Sequence, residues 1–142
     1  MIVRCQDPST ADPDNESPLM DGDSPAILGD DSAINGNLYA DLTGAAEERF
    51  DTLLVRPGLR IERIVSTGQA SPPGFWYEQE SAEWVVLLSG AALFRFADEP
   101  DARRLAAGDW IHIAAGRRHR VEWTQATPPS VWLAVHHQQS LG

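Results

Sequence analysis

Between Phe50 and His137 the chain never runs far without a residue that turns it. Short stretches rich in Val, Ile, Leu and aromatic residues end at Pro57-Gly58, Pro72-Pro73-Gly74, Ser89-Gly90, the polar loop Asp98–Asp101, Gly108-Asp109, Gly116 and Pro128-Pro129. Proline pre-sets φ, glycine opens positive φ, and aspartate offers a local side-chain hydrogen bond, so each break is a place where the backbone can reverse. Runs this short at this spacing build a sandwich or barrel of strands. The predicted strands are Phe50–Arg56, Leu59–Ser66, Gly74–Gln79, Glu83–Ser89, Ala91–Ala97, Arg103–Leu105, Trp110–Ala114, His119–Trp123 and Val131–His137, with one helical turn at Ala45–Glu48. There is no internal repeat and no long helical period. The expected fold class is all-β.

At 142 residues the chain holds one domain of ordinary size. Residues 1–36 differ in texture from the rest: they are rich in Asp, Pro, Ser and Gly, lack aromatic residues and have no apolar period. Such a stretch cannot bury enough apolar surface to offset its ordering entropy and reads as a disordered acidic segment. The domain is expected to span 37–142. Net charge is −10, and residues 1–45 supply much of it with nine acids against the single base Arg4. That leaves twelve acids and ten arginines for the remainder, which is close to neutral. The only basic cluster is Arg117, Arg118 and Arg120, so a nucleic-acid partner is not expected. No run reaches the roughly 18 to 20 apolar residues of a membrane span, and the N-terminus lacks a secretory pattern. With Cys5 as the lone cysteine there is no internal disulfide framework, and a cytoplasmic location is the simplest expectation.

Two segments carry a more specific signal. In Gly74–Gly90, GFWYEQESAEWVVLLSG, Glu83 stands seven positions before Gly90. In Gly108–His119, GDWIHIAAGRRH, the residues Gly108, Gly116 and His119 follow the pattern G-x5-P-x-G-x2-H, with Ala114 where the proline usually stands. The two segments are 17 residues apart, Ala91 to Ala107. In both, and in that separation, the chain resembles the small single-domain cupins, including those described as mannose-6-phosphate-isomerase-like. The resemblance implies a jelly-roll barrel (double-stranded β-helix), a small-molecule ligand in its mouth, a divalent metal ion (Fe, Mn, Ni or Zn) and a homodimer.

Strand alternation agrees with the motif. Side chains on a strand alternate faces, so Glu83, Val85, Leu87 and Ser89 share a side, and so do His119, Val121 and Trp123. A charged-out, apolar-in pattern in the second strand turns the His119 imidazole inward. A carboxylate and an imidazole inside an apolar barrel are costly unless they pair or coordinate an ion, and that donor set suits a first-row divalent metal. The chain departs from the family pattern in lacking the usual histidine pair before Glu83. Depending on register, Glu78 or Gln79 stands in the place of a third ligand, and sequence does not choose between them. Tyr77 and His136 are the candidates for moving protons. His112 is expected on the face opposite Ile111 and Ile113, and of His136 and His137 one must face in and the other out. Trp84, Val86 and Leu88 are expected outward, on a surface suited to a second copy. Two function classes stay open: a metal-dependent enzyme of isomerase, dioxygenase or lyase type, and a metal-free ligand-binding or sensing module.

Overall fold

The structure is a computed structural model and describes residues 35–138; most of the acidic segment, with Arg4 and Cys5, lies outside the described residues. Eight strands form two antiparallel sheets: β1 Arg49–Arg56, β2 Leu59–Ser66, β3 Ala82–Ser89, β4 Ala91–Phe96, β5 Arg103–Ala106, β6 Trp110–Ile113, β7 His119–Thr124 and β8 Ser130–His137. The larger sheet runs β1-β2-β8-β3-β6 and the smaller β5-β4-β7. No helix occurs among the described residues, so the all-β expectation holds.

The inward side chains come from alternate residues of facing strands. Ile64 of β2, Val85 and Leu87 of β3, Ile111 and Ile113 of β6, and Trp132 and Ala134 of β8 meet Ala92, Phe94, Phe96 and Val121 of the smaller sheet. Burying a side chain of this size stabilises by roughly 1.5 to 3 kcal/mol, and together they fix which face of each strand points inward. Gly90 shows why the first motif ends on glycine. It lies at φ +91, and a Cβ there would stand 2.7 Å from the Cα of Ser130 on β8. Only glycine combines that backbone angle with so close an approach.

Three local expectations are corrected. Gly74–Gln79 is not a strand: it meets β7 at an isolated bridge between Tyr77 and His119, and the chain before the prolines meets β7 at Ser71, whose amide donates to the Val121 carbonyl. Pro72 and Pro73 have no N–H with which to continue a ladder. Ala45–Glu48 makes no helical turn. Arg49 takes the carbonyls of Asp41 and Thr43, and the Gln69 amide takes those of Ala45 and Ala46, so these acceptors are committed elsewhere. Trp123 does not share a face with His119 and Val121. The pairing of β7 with β4 skips Glu122, a bulge that turns Trp123 out to 41 % exposure and puts Thr124 inside.

Candidate functional site

The polar interior is built across the middle of the larger sheet. On β8, His136 lies directly opposite Arg60 of β2 on one side and Glu83 of β3 on the other. Neighbours paired across strands share a face, so these three form an inward row, and Glu62, two residues beyond Arg60, joins it diagonally. Glu62 and Glu83 are fully buried and His136 nearly so. His136 Nε2 lies 2.9 Å from Glu62 Oε1, while its Nδ1 is 3.9 Å from Glu83 Oε1. Arg60 Nε stands 3.6 Å from Glu62 Oε2. Burial lowers the His136 pKa below its usual 6.5, although the bond and the charge of Glu62 pull the other way. The neutral ring therefore donates from Nε2 to the Glu62 carboxylate and leaves the Nδ1 lone pair on the Glu83 side.

His119 enters from the opposite sheet. Its ring stacks on Phe94, with centroids 5.6 Å apart and planes at 16°, and lies 6.1 Å from the Tyr77 ring. Desolvation between these rings lowers its pKa to about 4, against a smaller opposing effect of its bond to Arg117. Nδ1 is 3.0 Å from the Arg117 carbonyl oxygen, which can only accept, so Nδ1 carries the hydrogen. Nε2 is left as a bare lone pair, buried and without a hydrogen-bond partner among the described residues. Arg117 holds that carbonyl in place through its side chain, which bonds Asp98 at 2.9 Å and lies 3.5 Å over the Phe96 ring.

The sequence-predicted residues thus divide into two sets. Glu83, His119 and His136 lie inside, each from a different strand. Tyr77 is buried beside His119. Glu78 is exposed, and Gln79 is half-buried with its carbonyl accepting the Gly116 amide at 2.7 Å. Glu62 was not among the predicted residues. Its signal was available, since it sits on β2 between Arg60 and Ile64 at the inward spacing of two, but nothing in the motif pointed to it.

Open space adjoins this row. A cleft of about 250 Å³ at the barrel end is lined by Val55, Gly58, Leu59, Arg60, Ser81, His136, His137 and Gln138. His136 is therefore shared between the buried carboxylates and the cleft. The Arg60 side chain is 42 % exposed there, with its Nε buried and without a hydrogen-bond partner among the described residues.

The donors suit the divalent metal implied by the motif in type: a lone-pair imidazole whose other nitrogen is tied to a carbonyl, and a buried carboxylate on a facing strand. In convergence they fall short. Among the described residues no three His, Cys, Asp or Glu side chains gather closely enough to hold one ion.

Two facing antiparallel sheets, a glycine-terminated β3–β4 turn and an inward Glu83 and His119 define a small jelly-roll barrel of the cupin class. Comparison with solved structures agrees. A Ralstonia eutropha protein described as a "putative mannose-6-phosphate isomerase" is 51 % identical over 74 % of this chain and 98 % of its own, with a TM-score of 0.72. A conserved Streptococcus pyogenes protein of unknown function is 25 % identical over 75 % of this chain and 95 % of its own, TM-score 0.54. A cupin superfamily protein from Desulfitobacterium hafniense shares the fold at 16 % identity, covering 74 % of this chain and 92 % of its own, TM-score 0.59. No family model matches the chain, and no curated relative does. The chain belongs to the cupin family.

Proposed function

We propose that this cupin binds a small anionic molecule in the cleft at the barrel end, with Arg60 and His136 as the groups that recognise it. One observation carries the reading: His136 joins the buried Glu62 and Glu83 to the cleft, beside a half-exposed guanidinium. Arg60 supplies a fixed positive charge and a planar fork of donors suited to a carboxylate or phosphate. Val55 and Leu59 give the apolar wall that most small-molecule sites need. The neutral His136 can turn to a ligand either a lone pair or, if Glu62 is displaced, an N–H.

The relative described as a mannose-6-phosphate isomerase makes a phosphosugar the first probe to try. Mannose 6-phosphate at millimolar concentration is expected to raise the melting temperature, and neutral mannose is expected to leave it unchanged. Arg60→Ala is expected to abolish the shift. A shift of the same size in Arg60→Ala, or none with mannose 6-phosphate or inorganic phosphate, removes this reading.

A metal-dependent enzyme is the second reading, and the bare, buried Nε2 of His119 favours it. Glu83 and His119 would hold the ion, His136 Nδ1 or Gln79 would complete its shell, and Tyr77 would lie beside it. When bound, a divalent ion would supply Lewis acidity or activate dioxygen. Elemental analysis of the full-length chain after metal reconstitution, alongside Glu83→Ala and His119→Ala, tests it. Stoichiometric metal lost in both folded variants supports the enzyme, and metal retained in both opposes it.

A second copy of the chain is the protein partner in either reading. Trp84, Val86 and Leu88 are half-buried on the outer face, and the Trp84 ring lies tilted beside Trp110, which is 60 % exposed. Sedimentation at micromolar concentration is expected to give a dimer, and a monomer would rule the pairing out.

A further inference from the structure

The outer face of the larger sheet holds two histidines to which the proposed ligand recognition gives no role, His112 and His137, the second also at the cleft that Arg60 and His136 line. We propose that His112 and His137 form a two-imidazole site for a divalent first-row transition metal, with Cu²⁺ the most tightly held. The two residues come from β6 and β8, on either side of β3, and their Nε2 atoms approach to 3.2 Å. The rings are stacked with centroids 5.4 Å apart and planes at 29°.

That separation is the one a metal needs. With metal–nitrogen bonds of about 2.0 to 2.1 Å, two ligands at tetrahedral or right angles stand about 2.9 to 3.4 Å apart. The spacing is therefore already in place, and turning the two rings is what brings both lone pairs onto one ion. The register that produces the approach is fixed by the core. Trp84 of β3 pairs with His112 on one side and Val135 on the other, and Ala82 pairs with His137. Val85, Ile111, Ile113 and Ala134 pack underneath and lock these strands in place.

Protonation also suits a metal. His137 Nδ1 lies 3.3 Å from the Gln138 carbonyl oxygen, an acceptor only, so in the neutral ring Nδ1 carries the hydrogen and Nε2 presents its lone pair. An imidazole tied through its other nitrogen to a carbonyl is the arrangement usual for metal ligands. Without metal, His112 Nε2–H donates to that lone pair. On metal binding, His112 carries its hydrogen on Nδ1 instead, and both Nε2 lone pairs face the ion. Two imidazoles leave the remaining positions to water, and divalent affinity for nitrogen donors peaks at copper. β6 is the sheet's edge strand, so His112 lies at the rim of the apolar strip and is exposed. His137 also lines the cleft, but the copper site uses neither Arg60 nor His136, so copper binding and anion binding are tested by different variants.

The test is a Cu²⁺ titration of the full-length chain carrying Cys5→Ser, which removes its only thiol. Tryptophan quenching follows occupancy, since Trp84 and Trp110 lie on the same face, and electron paramagnetic resonance identifies the ligand nitrogens. The expected result is one saturating equivalent with two imidazole nitrogens on copper. His112→Ala and His137→Ala are each expected to weaken binding roughly 100-fold, because each leaves a single imidazole in place of a chelating pair. His112→Gln, which keeps the side-chain size, is expected to match His112→Ala, and thermal melting confirms that the variants fold. Absence of saturable copper binding overturns the proposal, as does undiminished binding in either alanine variant. Loss in His119→Gln with retention in His112→Ala would assign the copper to the interior instead, and would likewise overturn it.

Discussion

The larger sheet carries histidine on both faces, and neighbouring residues of one strand meet opposite physics. His136 and His137 are adjacent on β8, yet one is buried against Glu62 and the other reaches His112 across the outer surface. Glu83 and Trp84 divide in the same way on β3, as do Ile113 and His112 on β6. Inside, a polar group left without a partner is costly because water cannot replace one, and desolvation holds the imidazoles neutral. Outside, the same residue types are free to meet solvent or a ligand at little cost. Local composition therefore does not separate a structural histidine from a binding one; the face of the strand does.

The sharpest test of this contrast sets two tryptophans against each other. Trp132 is fully buried and donates to Ser66 Oγ at 3.2 Å, whereas Trp110 is mostly exposed. Trp132→Ala is expected to cost about 3 to 5 kcal/mol in urea unfolding, and Trp110→Ala about 0.5 kcal/mol or less. Equal costs would break the assignment of faces.

The next effect is one of pH. His119 has a folded pKa near 4 against 6.5 when exposed, so between these values the unfolded chain takes up a proton that the folded chain refuses. Stability from this residue is complete above pH 6.5 and falls as pH drops toward 4, by about 3 kcal/mol in all. The lowered pKa of His136 acts in the same direction. In His119→Gln the difference in unfolding free energy between pH 7 and pH 4.5 is expected to shrink; an unchanged difference would place the ring in contact with water.

A smaller effect isolates the interior pair. Glu62→Leu leaves His136 Nε2–H buried without its acceptor and is expected to cost about 1 to 3 kcal/mol. A double-mutant cycle of Glu62→Leu with His136→Leu is expected to show coupling of at least about 0.5 kcal/mol. Strict additivity would mean that the 2.9 Å contact contributes nothing. The smallest effect belongs to the outer face: without metal, His112→Ala is expected to change stability by less than about 0.5 kcal/mol.

Much of the fold was legible because its determinants are local. Gly90, Gly108 and Gly116 mark real turns. The period of two set Glu83, Val85 and Leu87 of β3 apart from Trp84 and Val86, and Ile111 and Ile113 of β6 apart from His112. It failed at Ser89, where a bulge at Leu88 pairs Ser89 with Val131 instead of the Trp132 face, and it left open which of His136 and His137 turns in. Trp123 escaped because a bulge adds one residue to β7, and no side-chain pattern signals where a ladder slips. The Gly74–Gln79 segment escaped because its aromatic residues have strand character while the prolines before it deny it a ladder. Glu62 was missed for another reason. Its importance arises from pairing with β8, some seventy residues away, and a partner at that separation is invisible until the register is known.

The most direct measurement of the central claim is nitrogen-15 NMR of the four imidazole rings during addition of mannose 6-phosphate. The account predicts a saturable change at His136, with none at His112 and no change at either ring in Arg60→Ala. A spectrum in which His136 stays fixed while the ligand binds elsewhere would contradict it.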